Sequence, residues 1–260
     1  MISTGVRARR ALIGGLAAVL TGTLLAGCEG AGPLGDAKQS DPPAPSAGSG
    51  TGTGPLGNPD GTKPGLGPVT SARDKAESRK LIGTVAVKGR GPRTGYERDA
   101  FGYAWMDTAD GVPLARNGCD TRNDLLKRDG KDLAYRSGSD CVVTEMTLDD
   151  PYTGRTLDWR KQQATAVQID HVIPLSYSWQ LGSARWPEDR RKQLANDPLN
   201  LLPVDGPANN AKRDSGPASW LPPSKRIRCA YVTRFAQVAV KYELPVTGAD
   251  KRVMLAQCGA

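Results

Sequence analysis

The chain has 260 residues, 35 Lys plus Arg against 27 Asp plus Glu, a formal charge of +8 and one histidine. A single imidazole excludes any site built on two or more histidines. Five cysteines without a C-x-x-C pair argue against a zinc ribbon or a thioredoxin-like redox centre, and one apolar stretch, at the extreme N-terminus, excludes a polytopic membrane protein.

In that stretch Arg7, Arg9 and Arg10 precede an apolar run from Ala11 to Ala26. A basic start, a short apolar core and a small-residue cleavage site predict a signal peptide over residues 1–27. Its end, Leu25-Ala26-Gly27-Cys28, resembles a bacterial lipobox, which implies cleavage before Cys28 and lipidation of that cysteine. The Arg9-Arg10 pair leaves Sec and twin-arginine export as alternatives; either places the mature chain outside the cytoplasm, anchored to the membrane through the lipid.

Residues 28–80 read as a disordered, Gly/Pro-rich linker. From Ala31 to Thr70 there are 10 Gly, 8 Pro and no aromatic residue, too little apolar surface to offset chain entropy. A flexible linker of about 40 residues spans about 35 Å, enough to hold a domain clear of a surface.

Residues 81–260 are expected to form one domain, with 26 Lys plus Arg against 21 Asp plus Glu, a net +5. The clusters Arg190-Arg191-Lys192, Lys212-Arg213 and Lys225-Arg226 with Arg228 give its C-terminal half the character of a polyanion-binding surface. Four cysteines in an exported domain allow three disulfide connectivities. Cys119–Cys141 with Cys229–Cys258 is favoured, because each bond closes a short loop.

In chain order, the pattern predicts a helix over Thr121–Arg128 with Asp120 or Thr121 as its cap, a strand over Cys141–Leu148, a turn at Asp150–Gly154 and a second strand over Arg155–Trp159. Val167–Ile173 is a further β-rich run. Trp186–Ala195 is polar and helical, Pro217–Leu221 a short helix or turn, Ile227–Tyr242 a packed amphipathic helix and Ala249–Gln257 a last helix. The tryptophans Trp105, Trp159, Trp179, Trp186 and Trp220 are assigned to core or rim packing rather than to base stacking.

The chemistry concentrates in Ile169-Asp170-His171-Val172-Ile173-Pro174-Leu175, Asn200-Leu201-Leu202-Pro203-Val204 and Asn209-Asn210-Ala211-Lys212. Adjacent residues on a strand face opposite ways, yet at a strand end an aspartate and a histidine can flank one phosphate. The carboxylate would hold a metal while the imidazole takes a proton from water, a task its ordinary pKa near 6.5 suits. A hard divalent ion is satisfied by one carboxylate, one amide oxygen and waters.

The ordered set D-H-V-I-P-L, N-L and N-x-x-K resembles an HNH nuclease with the ββα-metal motif. More narrowly, it is similar to extracytoplasmic HNH proteins that share the C-terminal domain type of GmrSD restriction endonucleases. Cys119–Asn123, Asp150–Gly154 and Ser219–Pro223 support the likeness, which covers most of residues 95–258. It implies an α+β fold: a ββα-metal core with flanking helices and disulfides, behind the tether. It also implies His171 as general base, Asp170 and Asn209 as ligands of Mg²⁺ (or Mn²⁺), Asn200 as the middle asparagine that orders the loop, and Lys212 and, less directly, Arg122 at phosphates. The 38 positions from His171 to Asn209 exceed the compact motif because Gln180–Asp197 reads as an insertion; this leaves Asn200, Asn209 and Asn210 as alternatives for the ligand. The implied function is a monomeric, metal-dependent endonuclease acting on DNA or RNA outside the cytoplasm. The competing reading is a non-catalytic basic lipoprotein that binds anionic polymer or nucleic acid.

Overall fold

A computed structural model describes residues 52–259. The signal peptide, Cys28 and the first part of the expected linker lie outside the described residues. From Gly52 onward the expectation of a disordered linker fails. Residues 52–71 form a strap that folds on itself, with Thr53 N donating to Pro64 O and Gly67 N to Thr53 O. The strap leads into helix α1 (Ala72–Thr84), capped by the Ser71 side chain. Leu66 and Val69 from the strap and Ile82 and Val85 at the end of α1 are buried in the main core.

The reason is backbone chemistry that composition does not reveal. Strap carbonyls serve buried and half-buried side chains: Arg128 Nη1 donates to Gly61 O (2.7 Å) and Gln237 Nε2 to Pro55 O (2.8 Å). Gly65 N in turn donates to the Asp129 carboxylate (2.8 Å). Gly61 has φ +75°, and a Cβ there would lie 2.3 Å from Leu199 N, so only glycine lets the strap lie this close.

Downstream, α2 (Thr121–Asp129) starts where expected, with the Asp120 carboxylate accepting from Asn123 N. Strands β1 (Lys131–Tyr135), β2 (Val143–Asp149) and β3 (Thr156–Arg160) form an antiparallel meander. Within it β2, β3 and the turn between them follow the expected pattern, and β1 is an addition. A two-stranded antiparallel sheet pairs β4 (Val167–His171) with β5 (Leu201–Asp205), setting Asp170 opposite Leu202 and His171 opposite Leu201. Between these strands run α3 (Leu175–Leu181) and α4 (Glu188–Asn196), and β5 leads directly into α5 (Gly206–Lys212). The Asp205 side chain caps α5. Helices α6 (Arg228–Lys241) and α7 (Gly248–Gln257) close the chain and are joined by Cys229–Cys258; Cys119–Cys141 ties the segment before α2 to the loop before β2. Both favoured pairings are present, and Pro217–Leu221 is a turn.

The architecture is thus α+β, with β4, β5 and α5 forming a ββα unit between two cores. Val167, Ile169 and Leu201 face a smaller core with Leu125, Leu126, Met146 and Trp159. Leu202 and Val204 face the larger one, dominated by α6 through Tyr231, Phe235 and Val238. The two-residue period of the strands therefore aims neighbouring residues into different surroundings. No helix among the described residues is long and apolar enough to cross a membrane.

Candidate active site

Asp170 and His171 end β4 and follow this alternation. His171, on the face of the smaller core, is nearly buried and stacks on Trp105, with ring centroids 6.0 Å apart and planes 12° from parallel. Its Nε2 lies 2.9 Å from Ala195 O. A carbonyl can only accept, so Nε2 carries the hydrogen and Nδ1 keeps a free lone pair. Burial, reinforced by the positive charge of Arg98, holds the imidazole well below its ordinary pKa. The ring is therefore neutral near pH 7, as a proton acceptor must be.

Asp170, on the opposite face, is 4% exposed. Its Oδ1 accepts from Lys212 Nζ at 2.8 Å and its Oδ2 from the Tyr152 hydroxyl. Lys212 also donates to His171 O at 2.7 Å. Burial pushes the Asp170 carboxyl up and pulls the Lys212 ammonium down, and their contact offsets both trends. The expectation of a phosphate contact at Lys212 is thereby corrected. Three residues beyond Asn209 on α5, its side chain turns inward, is fully buried and anchors the end of β4. Arg122 is corrected likewise, since its guanidinium donates to Val167 O and Ala164 O at the far end of β4 from His171.

Asn200 is fully buried. Its Oδ1 accepts from Ile173 N (2.8 Å) and its Nδ2 donates to Leu194 O (3.1 Å) and Ile173 O (3.3 Å). It staples the turn after β4 to the end of α4, next to the Ala195 carbonyl that orients His171. These three bonds order the turn after β4.

His171, Asp170, Asn209 and Asn210 line one cleft of about 390 Å³, together with Arg93, Arg98, Trp105 and Arg213. The Asn209 amide is steadied by Nδ2 donating to Gln168 Oε1 at 2.8 Å, which leaves its Oδ1 as the group to offer. The oxygen donors of the residues lining the cleft are thus amide oxygens and the Asp170 carboxylate, whose two oxygens already accept from Lys212 and Tyr152. That set suits a hard cation completed by water and not a soft one. Among the described residues, no group of three or more His, Cys, Asp or Glu side chains is clustered for a metal, so any ion here would keep most of its waters.

Several residues in or behind the cleft escaped the sequence reading. Tyr152 lay within Asp150–Gly154, noted only as turn chemistry and as support for the resemblance. Trp105, assigned to packing, does pack against the smaller core, and its stacking on His171 is what the sequence did not reveal. Arg213 stood in a noted basic pair, whereas Arg93 and Arg98 carried no local signal.

Residues 120–257 match the family described as GmrSD restriction endonucleases, C-terminal domain. The chain is also similar to an Arthroderma benhamiae protein described as an uncharacterized secreted protein, with 37% identity over 179 residues, covering 68% of this chain and 81% of that one.

Proposed function

Because the chain belongs to the family of GmrSD restriction endonuclease C-terminal domains, a nuclease-type family, we propose that it is an HNH-type, metal-dependent endonuclease that hydrolyses phosphodiester bonds in nucleic acid, DNA foremost, outside the cytoplasm. The observation that carries the reading is the neutral His171 imidazole, oriented by Ala195 O, with Nδ1 unprotonated at a cleft on a ββα unit. In this reading His171 Nδ1 accepts a proton from water. The resulting hydroxide attacks phosphorus in line, and the bond to the leaving oxygen breaks on the opposite side. Asp170 and Asn209 would hold a divalent cation, most simply Mg²⁺ with Mn²⁺ as the alternative, whose charge would stabilise the anionic transition state.

Two disulfides suit an oxidising compartment, and the fungal relative's description as secreted agrees with export. Lipidation at Cys28 and a monomeric state complete the proposal. The test is cleavage of plasmid and single-stranded DNA by the purified mature chain with Mg²⁺, Mn²⁺ or EDTA, beside His171→Ala. Loss of a general base should lower the rate by about 10²–10⁴-fold. Full activity in His171→Ala would remove the base, and cleavage indifferent to EDTA would remove the metal. Binding without cleavage by the unaltered protein would favour the non-catalytic lipoprotein.

A further inference from the structure

With Lys212 buried and Arg122 bonded to backbone carbonyls at the far end of β4, the cleft needs other groups to hold a polyanion. Arg93, Arg98 and Arg213 are all exposed and all line the cleft that His171 also lines. Among the described residues none of the three lies within ion-pair distance of a carboxylate. The two carboxylates that share the cleft already have cations: Asp170 has Lys212 at 2.8 Å and Asp214 has Arg90 at 3.7 Å. The three guanidiniums therefore set the local field. Arg93 is further steadied by the Tyr96 ring, with its guanidinium carbon 5.1 Å from the centroid.

We infer that Arg93, Arg98 and Arg213 form a phosphate clamp that grips consecutive phosphates of a nucleic-acid backbone and presents one of them to His171. A guanidinium presents a planar fork of donors that matches phosphate oxygens, and an unmatched one is available for that purpose. Lining one cleft, the three guanidiniums would hold the backbone among them. Arg93 and Arg98 precede residues 120–257, so two of the three clamp residues lie outside the family-matched segment. The inference deepens the nuclease reading and rests on it for the identity of the ligand, but its test does not require cleavage.

The experiment measures binding of a fluorescein-labelled single-stranded 12-mer to the mature His171→Ala chain by anisotropy, across a NaCl series. Arg93→Gln, Arg98→Gln and Arg213→Gln are added singly and together, and Arg122→Gln serves as the control. Each clamp residue that neutralises a phosphate should lower the slope of log K against log salt by about 0.7, and the triple variant by about 2. Arg122→Gln should leave the slope unchanged. Unchanged slopes in the clamp variants, or no measurable binding by the His171→Ala parent, would overturn the clamp. Reduced slopes beside an unaltered protein that does not cleave would uphold the clamp and sink the catalytic reading alone. Melting temperatures of the variants should match the parent, since all three side chains are exposed.

Discussion

Leu66 separates a tether from a structural strap. It is 4% exposed and belongs to the main core, so Leu66→Ala removes three buried carbon atoms and leaves a cavity beneath a strap held from both sides. Buried leucine-to-alanine changes cost about 2–5 kcal/mol, a large share of the roughly 5–15 kcal/mol that stabilises a typical domain. For a domain of this size, each kcal/mol moves the melting temperature by about 2–4 °C, so Leu66→Ala should melt about 4–20 °C lower. The assay is thermal and urea unfolding of the oxidised protein, with exposed Thr70→Ala as the companion; a surface change should stay within about 0.5 kcal/mol. Matching curves for the two variants would refute the claim that residues 52–71 belong to the folded unit. The original domain boundary at Leu81 would then stand.

Other predictions follow from the same contacts. Lys212→Met should destabilise the protein by about 3–5 kcal/mol, because it leaves the buried Asp170 carboxylate without its cation; Asp170→Asn added to Lys212→Met should restore part of that loss in urea titrations, and no restoration would deny the coupling. Burial raises Asp124 to a pKa of about 6, above the usual aspartate value of about 3.9. Between those two values the folded state binds more protons than the unfolded state, so this residue makes the protein less stable as pH rises through 6. Asp124→Asn should therefore stabilise the protein more at pH 7.5 than at pH 4.5, and equal gains at both would contradict the shift. Replacing both Cys229 and Cys258 with Ala should cost about 2–4 kcal/mol, read as a lower urea midpoint, and an unchanged midpoint would show that the bond adds nothing to packing.

The chain's periodic segments were legible because local pattern and burial agree in them. Ile227–Tyr242 carries apolar residues at helical spacing and becomes α6 within a residue or so at each end. Asp120 caps α2 as its residue type requires. The disulfides followed from loop length alone. The strap was misread because Gly and Pro served both readings: the same composition makes a loose chain or a backbone that packs closely against buried arginines, and only long-range contacts decide between them. At the site, His171 and Asp170 were legible from their neighbours. The inward turn of Lys212 depended on the phase of the short helix α5 against β4, which the N-x-x-K spacing does not fix. Arg93 and Arg98 sit some 75 positions from His171 in sequence, and only the fold brings them to its cleft.

The residues that line the cleft have separate origins along the chain. His171, Asp170 and Asn209 come from the ββα unit and Arg213 from its C-cap, while Arg93, Arg98 and Trp105 come from turns and a short 3₁₀ helix ahead of α2. Arg93 and Arg98 are exposed, so recharging those two positions alters the opening without touching the packing of β4, β5 or α5. Preference for a substrate can therefore drift at these positions while Trp105 keeps its stack on His171.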